Sequence, residues 1–250
     1  MEKKSLLLIW QDKKSRLYFH VGTLTYDGNL YQFEYTHQIK ASRRVHDAME
    51  HGYTLHPAFP DLMKRYKSEK LFLAFARRIP SPNRIDYEDI LKALALPIDA
   101  DQMELLRATR GMIGQNPYIF AEPLRLVDGN ILKSSFYING MRYSNLSDYW
   151  YKSIKIGDEL ILERDTTNSV DSNAVKILTS NRVHLGYVPG VFAKAIGALL
   201  DRDVAMNVVV EDMKPNFSPQ WWVRVSFRSA LDQIVPNDIV ELDGLVESAA

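Results

Sequence analysis

The stretch GDELILERDTTNSVDSNAVKI, residues 157–177, holds the side chains best suited to chemistry. Apolar alternation through Leu160 and Leu162 stops at Asp165, mostly small polar residues follow to Asn173, and alternation resumes at Ala174. Two residues suffice to turn a hairpin, so a loop of this length carrying Asp165, Asp171 and Asn173 needs another reason. Three chemistries use such side chains. Asp165, Thr167, Ser169, Asp171 and Asn173 fall at alternate positions, as the oxygen ligands of a calcium loop do, but Val170 stands where the sharp turn requires glycine and Lys176 where a bidentate glutamate belongs. Asx-type turns, in which these side chains bond their own backbone, are the second reading. The third is a ligand hydroxyl donating to a carboxylate.

Other groupings are weaker. His46, His51 and His56 recur every five residues, which on a helix turns them off a common face, so no metal site is expected. Lys40, Arg43 and Arg44 form the sharpest basic cluster, an exposed loop or an accessory nucleic-acid contact. Trp221 and Trp222 are adjacent, and on a regular strand only one faces inward; the other, here Trp222, is an accessory stacking candidate. Glu34, Glu163 and Asp165 make no recognisable hydrolytic pair, and no Gly-x-Ser-x-Gly elbow is present. With no cysteine there is no disulfide, thiolate zinc site or cysteine nucleophile. No catalytic residue and no cofactor is expected.

The chain of 250 residues is long enough for two domains, and its 46% hydrophobic and 25% charged content is ordinary for globular proteins. The 31 basic and 31 acidic residues cancel. Residues 1–121 carry an excess of four positive charges and residues 228–250 an excess of four negative ones. Without a strong positive field, any nucleic-acid contact must be local, which favours an end or a single strand over a long duplex. The apolar run near the N-terminus is too short for a signal segment or a membrane span, so a cytoplasmic protein without membrane contact is expected.

SLLLIW, RLYFHVGTL and LYQFEYTH, separated by turn signals, predict a three-stranded meander. From Phe59 the period lengthens. SEKLFLAFARR behind a capping Ser68, DYEDILKALAL from Asp86, and DQMELLRATRG with Gly111 as C-cap predict helices. Residues 1–121 therefore form an α+β module, a small antiparallel sheet then helices, and 122–134 a linker. FYING, DELILER, NAVKILT, RVHLGYVP, VAMNVVVED and WWVRVSF read as strands, with VFAKAIGALLD as one inserted helix. Residues 135–228 thus predict an all-β, OB-like barrel, and 229–250 a frayed acidic tail.

FYINGMRYS, GDEL, DSNAVKI, HLGYVP and VFAKAIGALL resemble, in content and order, the HIRAN domain over about residues 136–227. The resemblance implies a barrel that holds a single-stranded DNA 3′ end, with Arg142 near the penultimate phosphate, Tyr143 stacked on the last base, and Asp171 accepting from the 3′-hydroxyl. It adds Asn173 and Tyr187 as neighbouring contacts. Val170, Ser144 and Gly190 depart from the family's pattern, and imply weaker binding. Residues 6–121, with LFLAFARRIPSPNR, DYEDILKALAL and ELLRATRGMIG, are similar in order to the N-terminal subdomain of HipA-like toxin kinases. No phosphate loop or catalytic core follows, so that resemblance implies docking to a HipA-like kinase or other protein partner. The roles implied are DNA repair, phage defence or toxin control; an antidote-like subunit without DNA binding is the alternative.

Overall fold

The computed structural model describes residues 3–114, 116–231 and 238–248. The chain divides into two compact units, Met1–Pro123 and Leu124–Ala250.

The first unit is built on strands β1 (Lys4–Gln11), β2 (Tyr18–Tyr26), β3 (Tyr31–Tyr35), β4 (Tyr66–Ser68) and β5 (Tyr118–Ala121) in the order β4-β3-β2-β1-β5. The meander expected from sequence is the centre of this sheet, and β4 and β5 extend it on either side. Aromatic residues fill the core: Phe19, Phe33, Phe59, Phe75 and Phe120 are all buried. The helices are short: α1 (Val45–Glu50), α2 (Leu73–Ala76), α3 (Tyr87–Ala93) and α4 (Gln102–Thr109). Ser68, expected to cap a helix, ends β4, and its hydroxyl donates to the Lys70 carbonyl instead. Helix α2 starts only after Phe72, whose ring stands edge-on to both Phe59 and Phe75, so that the aromatic cluster sets the local path. Helix α4 starts on a full capping box, in which Asp101 accepts from the Glu104 amide and Glu104 from the Asp101 amide. Its left-handed cap is Arg110, with Gly111 following at φ 55° against the Phe120 ring.

The second unit is one sheet of β6 (Leu124–Val127), β7 (Ile131–Tyr137), β8 (Glu159–Arg164), β9 (Val175–Leu178), β10 (His184–Tyr187), β11 (Met206–Met213), β12 (Val223–Ala230) and β13 (Val246–Ser248). Their order is β10-β9-β8-β11-β12-β7-β6-β13. The sheet curls. Just beyond β7, Asn139 pairs with Tyr187 of β10 through two bonds of 2.8 Å, joining the far edge back to β7 and closing a barrel of OB-like kind. Gly186 permits that closure: at φ 156°, a Cβ there would lie 2.5 Å from the Asn139 carbonyl oxygen. The inserted helix, α5 (Gly190–Leu200), is almost wholly apolar and almost wholly buried.

Two expectations are corrected. Of residues 122–134, read as linker, all from Leu124 onward belong to the β6–β7 hairpin, which turns at Asp128 and Gly129. The described part of the acidic tail is core: Ile239, Leu242 and Leu245 are buried, and β13 pairs in parallel with β6. The rest of the expected frayed tail, 232–237 and 249–250, lies outside the described residues. Among the described residues no helix is long and apolar enough to cross a membrane.

Candidate nucleic-acid site

The loop between β8 and β9 is organised by Asp165, the residue where alternation stops. Its side chain is buried. It accepts from the Tyr187 hydroxyl at 3.0 Å, the Thr167 hydroxyl at 3.1 Å and the Asn168 amide at 3.3 Å, and lies 3.3 Å from the Lys176 ammonium. Burial opposes ionisation, but these donors together hold the carboxyl below its ordinary range. Asn168 passes the order along the loop, its side-chain oxygen accepting from the Val170 and Asp171 amides at 3.0 Å. Asp171 then accepts from the Asn173 amide at 2.9 Å, an Asx turn that continues through the Ala174 amide to the Asp171 carbonyl. At the loop's end the Asn173 carbonyl accepts from Arg164 at 3.3 Å. Arg164 also lies 3.4 Å from Asp201, and its guanidinium covers helix α5 where Gly197 leaves room.

Of the readings of the loop, the bonds of Asp171 show the Asx turn. An ionised carboxylate has about four acceptor sites, so accepting from Asn173 is compatible with accepting from a ligand, and the turn sets its orientation in advance. Asp171 is partly exposed and Val170 is 53% exposed. No calcium ligand set forms: Asp165 is satisfied by side-chain donors, and among the described residues no group of three or more His, Asp or Glu converges to hold a metal.

Arg142 and Tyr143 lie on the short 3₁₀ turn Met141–Tyr143, directly after the closing bridge. Gly140 enters this turn at φ 74°, against the Tyr187 ring. Met141 is buried, which anchors the turn and leaves Arg142 exposed and Tyr143 68% exposed. The Arg142 guanidinium sits 5.7 Å from the centre of the Tyr143 ring. Closing the barrel at Asn139 and Tyr187 thus sets Arg142 and Tyr143 beside the strand whose Tyr187 hydroxyl holds the Asp165 loop. Tyr187 also packs edge-on to His184, whose ring centre is 4.8 Å away.

The basic cluster of the first unit separates on folding. Lys40 is exposed and Arg43 half-buried, with its amide donating to Asp47. Arg44 is 4% exposed and donates to the Ser42 carbonyl at 2.9 Å. Its side chain is thus a buried structural cation, not a surface contact. Trp221 and Trp222 are corrected as well. They lie on and just after the 3₁₀ turn Pro219–Trp221, ahead of β12, so strand alternation does not divide them. Both are half-buried, Trp221 edge-on to Tyr137 at 4.9 Å and Trp222 tilted against Trp150 at 5.2 Å.

Asp165 as the loop's keystone was missed as a role, and so was Trp150 with its neighbours. The available signals were the stop of alternation at Asp165 and the aromatic run at 149–151.

A family model described as the HIRAN domain matches residues 131–232, less than half of the chain and all within the second unit. Among solved structures, the chain is similar to the crystal structure of the HIRAN domain of human HLTF at 17% identity, covering 49% of this chain and 98% of that one with a TM-score of 0.37. It is similar to a protein from Lactobacillus plantarum at 18% identity, covering 38% and 89% with a TM-score of 0.35. A third likeness, at 16% identity, is to the NMR structure of the HLTF HIRAN domain in its DNA-bound conformation, covering 45% and 84% with a TM-score of 0.29. No curated protein matches the chain.

Proposed function

We propose that the HIRAN domain of the second unit is a noncatalytic module that holds the 3′ end of single-stranded DNA. Asp171 accepts from the terminal 3′-hydroxyl, Tyr143 stacks on the last base, and Arg142 meets the preceding phosphate. Asn173 and Tyr187 border the pocket, Tyr187 by its ring edge because its hydroxyl is given to Asp165. A terminal hydroxyl has a proton to donate and an internal linkage has none, while a further phosphate meets the charge of the carboxylate, so an oriented Asp171 selects an end. The observation that carries the reading is the Asn139–Tyr187 bridge, which seats the exposed Arg142 and Tyr143 beside the strand that supports the Asp171 loop. The absence of net charge agrees with a short, shaped contact in place of a long electrostatic track.

The test is fluorescence anisotropy with oligonucleotides ending in a 3′-hydroxyl, a 3′-phosphate or a blunt duplex. The hydroxyl end binds tightest, and Asp171→Ala removes that preference. Equal affinity for all three ends would leave the barrel a scaffold.

The first unit, in this reading, docks a protein partner, of which a HipA-like kinase is the leading candidate, in DNA repair, phage defence or toxin control. Its exposed apolar side chains, Met63, Leu73, Ile85 and Ile98, support a docking role. Co-elution of the chain with such a kinase on size exclusion, lost on changing these residues to Ser, tests it; separate elution argues against that partner.

A further inference from the structure

The segment between the turn bearing Tyr143 and strand β8 takes no part in the terminal-nucleotide pocket, yet it is rich in aromatic residues. Its 3₁₀ turn Trp150–Lys152 follows Tyr149, so three rings and a cation stand in a row. Trp150 is buried, its ring 5.2 Å from that of Trp222, whose indole N–H donates to the Phe217 carbonyl at 2.8 Å. The Ser153 hydroxyl tightens the turn by donating to the Trp150 carbonyl at 2.6 Å. Burying the middle ring turns its neighbours outward: Tyr149 is 63% and Tyr151 37% exposed, their rings 6.4 Å apart. Lys152 places its ammonium 4.6 Å from the Tyr149 ring centre.

Charge points to the occupant. Over residues 141–155 the cations Arg142, Lys152 and Lys155 stand against Asp148 alone. Exposed rings with cations among them, fixed on a rigid anchor, suit bases and phosphates of a flexible strand in any sequence. The position is continuous with the proposed pocket. Trp222, which anchors Trp150, ends the turn Pro219–Trp221, and that turn packs against the turn Met141–Tyr143.

We infer that Tyr149, Tyr151 and Lys152 form a second stacking platform, which takes nucleotides lying 5′ of the terminal one. This deepens the terminal-nucleotide reading and rests on it. The test uses the full chain and 5′-labelled oligothymidylates of eight residues ending in a 3′-hydroxyl or a 3′-phosphate. Tyr149→Ala with Tyr151→Ala weakens binding of both ends about tenfold or more while keeping the ratio between them, whereas Asp171→Ala collapses the ratio. Lys152→Ala lowers the salt slope on the octamer by about 0.7. Unchanged octamer affinity in the double tyrosine variant, with the end preference intact, overturns the platform and leaves the terminal pocket standing. No binding of any oligonucleotide by the unaltered protein overturns both.

Discussion

Asp165 and Gly186 carry more of the candidate site than the residues that would touch DNA. Asp165 is a buried carboxylate kept ionised by donors from the loop, from β9 and from β10. Removing one donor exposes the asymmetry of hydrogen bonding, in which the lost bond is modest but the abandoned buried partner is costly. Tyr187→Phe is therefore expected to destabilise the second unit by about 1–3 kcal/mol and to loosen the 165–173 loop, read by thermal denaturation and by amide exchange at Asp171. The pH sign follows from the carboxyl being held below its ordinary range in the folded state. Its contribution is complete above the unfolded value of about 4 and is lost as pH falls through the lower folded value. Acid unfolding of the unaltered protein should thus be steeper below about pH 4 than that of Asp165→Asn. Gly186→Ala acts differently, since the added Cβ meets backbone at the closing bridge. A loss of about 1–3 kcal/mol is expected there, together with loss of amide protection at Asn139 and Tyr187; intact protection would show that closure does not depend on this glycine.

At the scale of elements, tertiary packing outweighs local preference in several places. Helix α4 is one where the two agree: its capping box is joined to β1 through Lys4, whose ammonium lies 2.6 Å from Asp101. Asp101→Ala is expected to cost about 0.5–2 kcal/mol in urea denaturation, by orphaning the Glu104 amide. The C-terminal segment is the opposite case. An acidic stretch reads as solvated, yet Leu242 is 2% exposed and Leu245 is 1% exposed, with β13 extending the sheet. Leu242→Ala should cost about 2–5 kcal/mol if these side chains complete the core, and almost nothing if the segment frays. Trp221 and Trp222 show the same override, because a 3₁₀ turn starting at Pro219 breaks the strand pattern just before β12 begins.

For the whole molecule, charge and burial set the response to solution conditions. In the first unit His20 is fully buried, and its Nε2, 3.0 Å from the Gly22 carbonyl, carries the proton. Burial first, and then the nearby Arg44 cation, push its pKa well below the ordinary value. His56 and His184 shift the same way, chiefly through burial. The unfolded chain then takes up protons below about pH 6.5 that the folded one refuses. Stability should be full above that pH and fall below it, by up to about 1.4 kcal/mol per unit for His20 and by less for the partly exposed pair. Urea midpoints measured from pH 8 to 5 check this, and a flat profile would show these rings accept protons in place. On the proposed function, a short contact of the second unit to single-stranded DNA would neutralise few phosphates. With two or three of them, log affinity should fall with log salt at a slope of about −1.4 to −2.1; a much steeper slope would mean a long basic track instead.

The residues fix, by themselves, what depends on neighbours along the chain. The meander of β1 to β3, the apolar face of α5, the alternating strands of the second unit and the polar character of the 165–173 loop all follow from local period and turn chemistry, as does the absence of cysteine chemistry. The resemblance of residues 136–227 to the HIRAN domain was legible for the same reason: its segments are short and follow one another in order. Only the tertiary structure decided the rest. It paired β5 with β1 across more than a hundred residues, closed the barrel at Asn139 and Tyr187, buried Arg44 and Leu242, and made Asp165 the centre of the loop. Each of these depends on which distant backbone edge or side chain arrives opposite, and a linear pattern of polarity holds no term for that encounter.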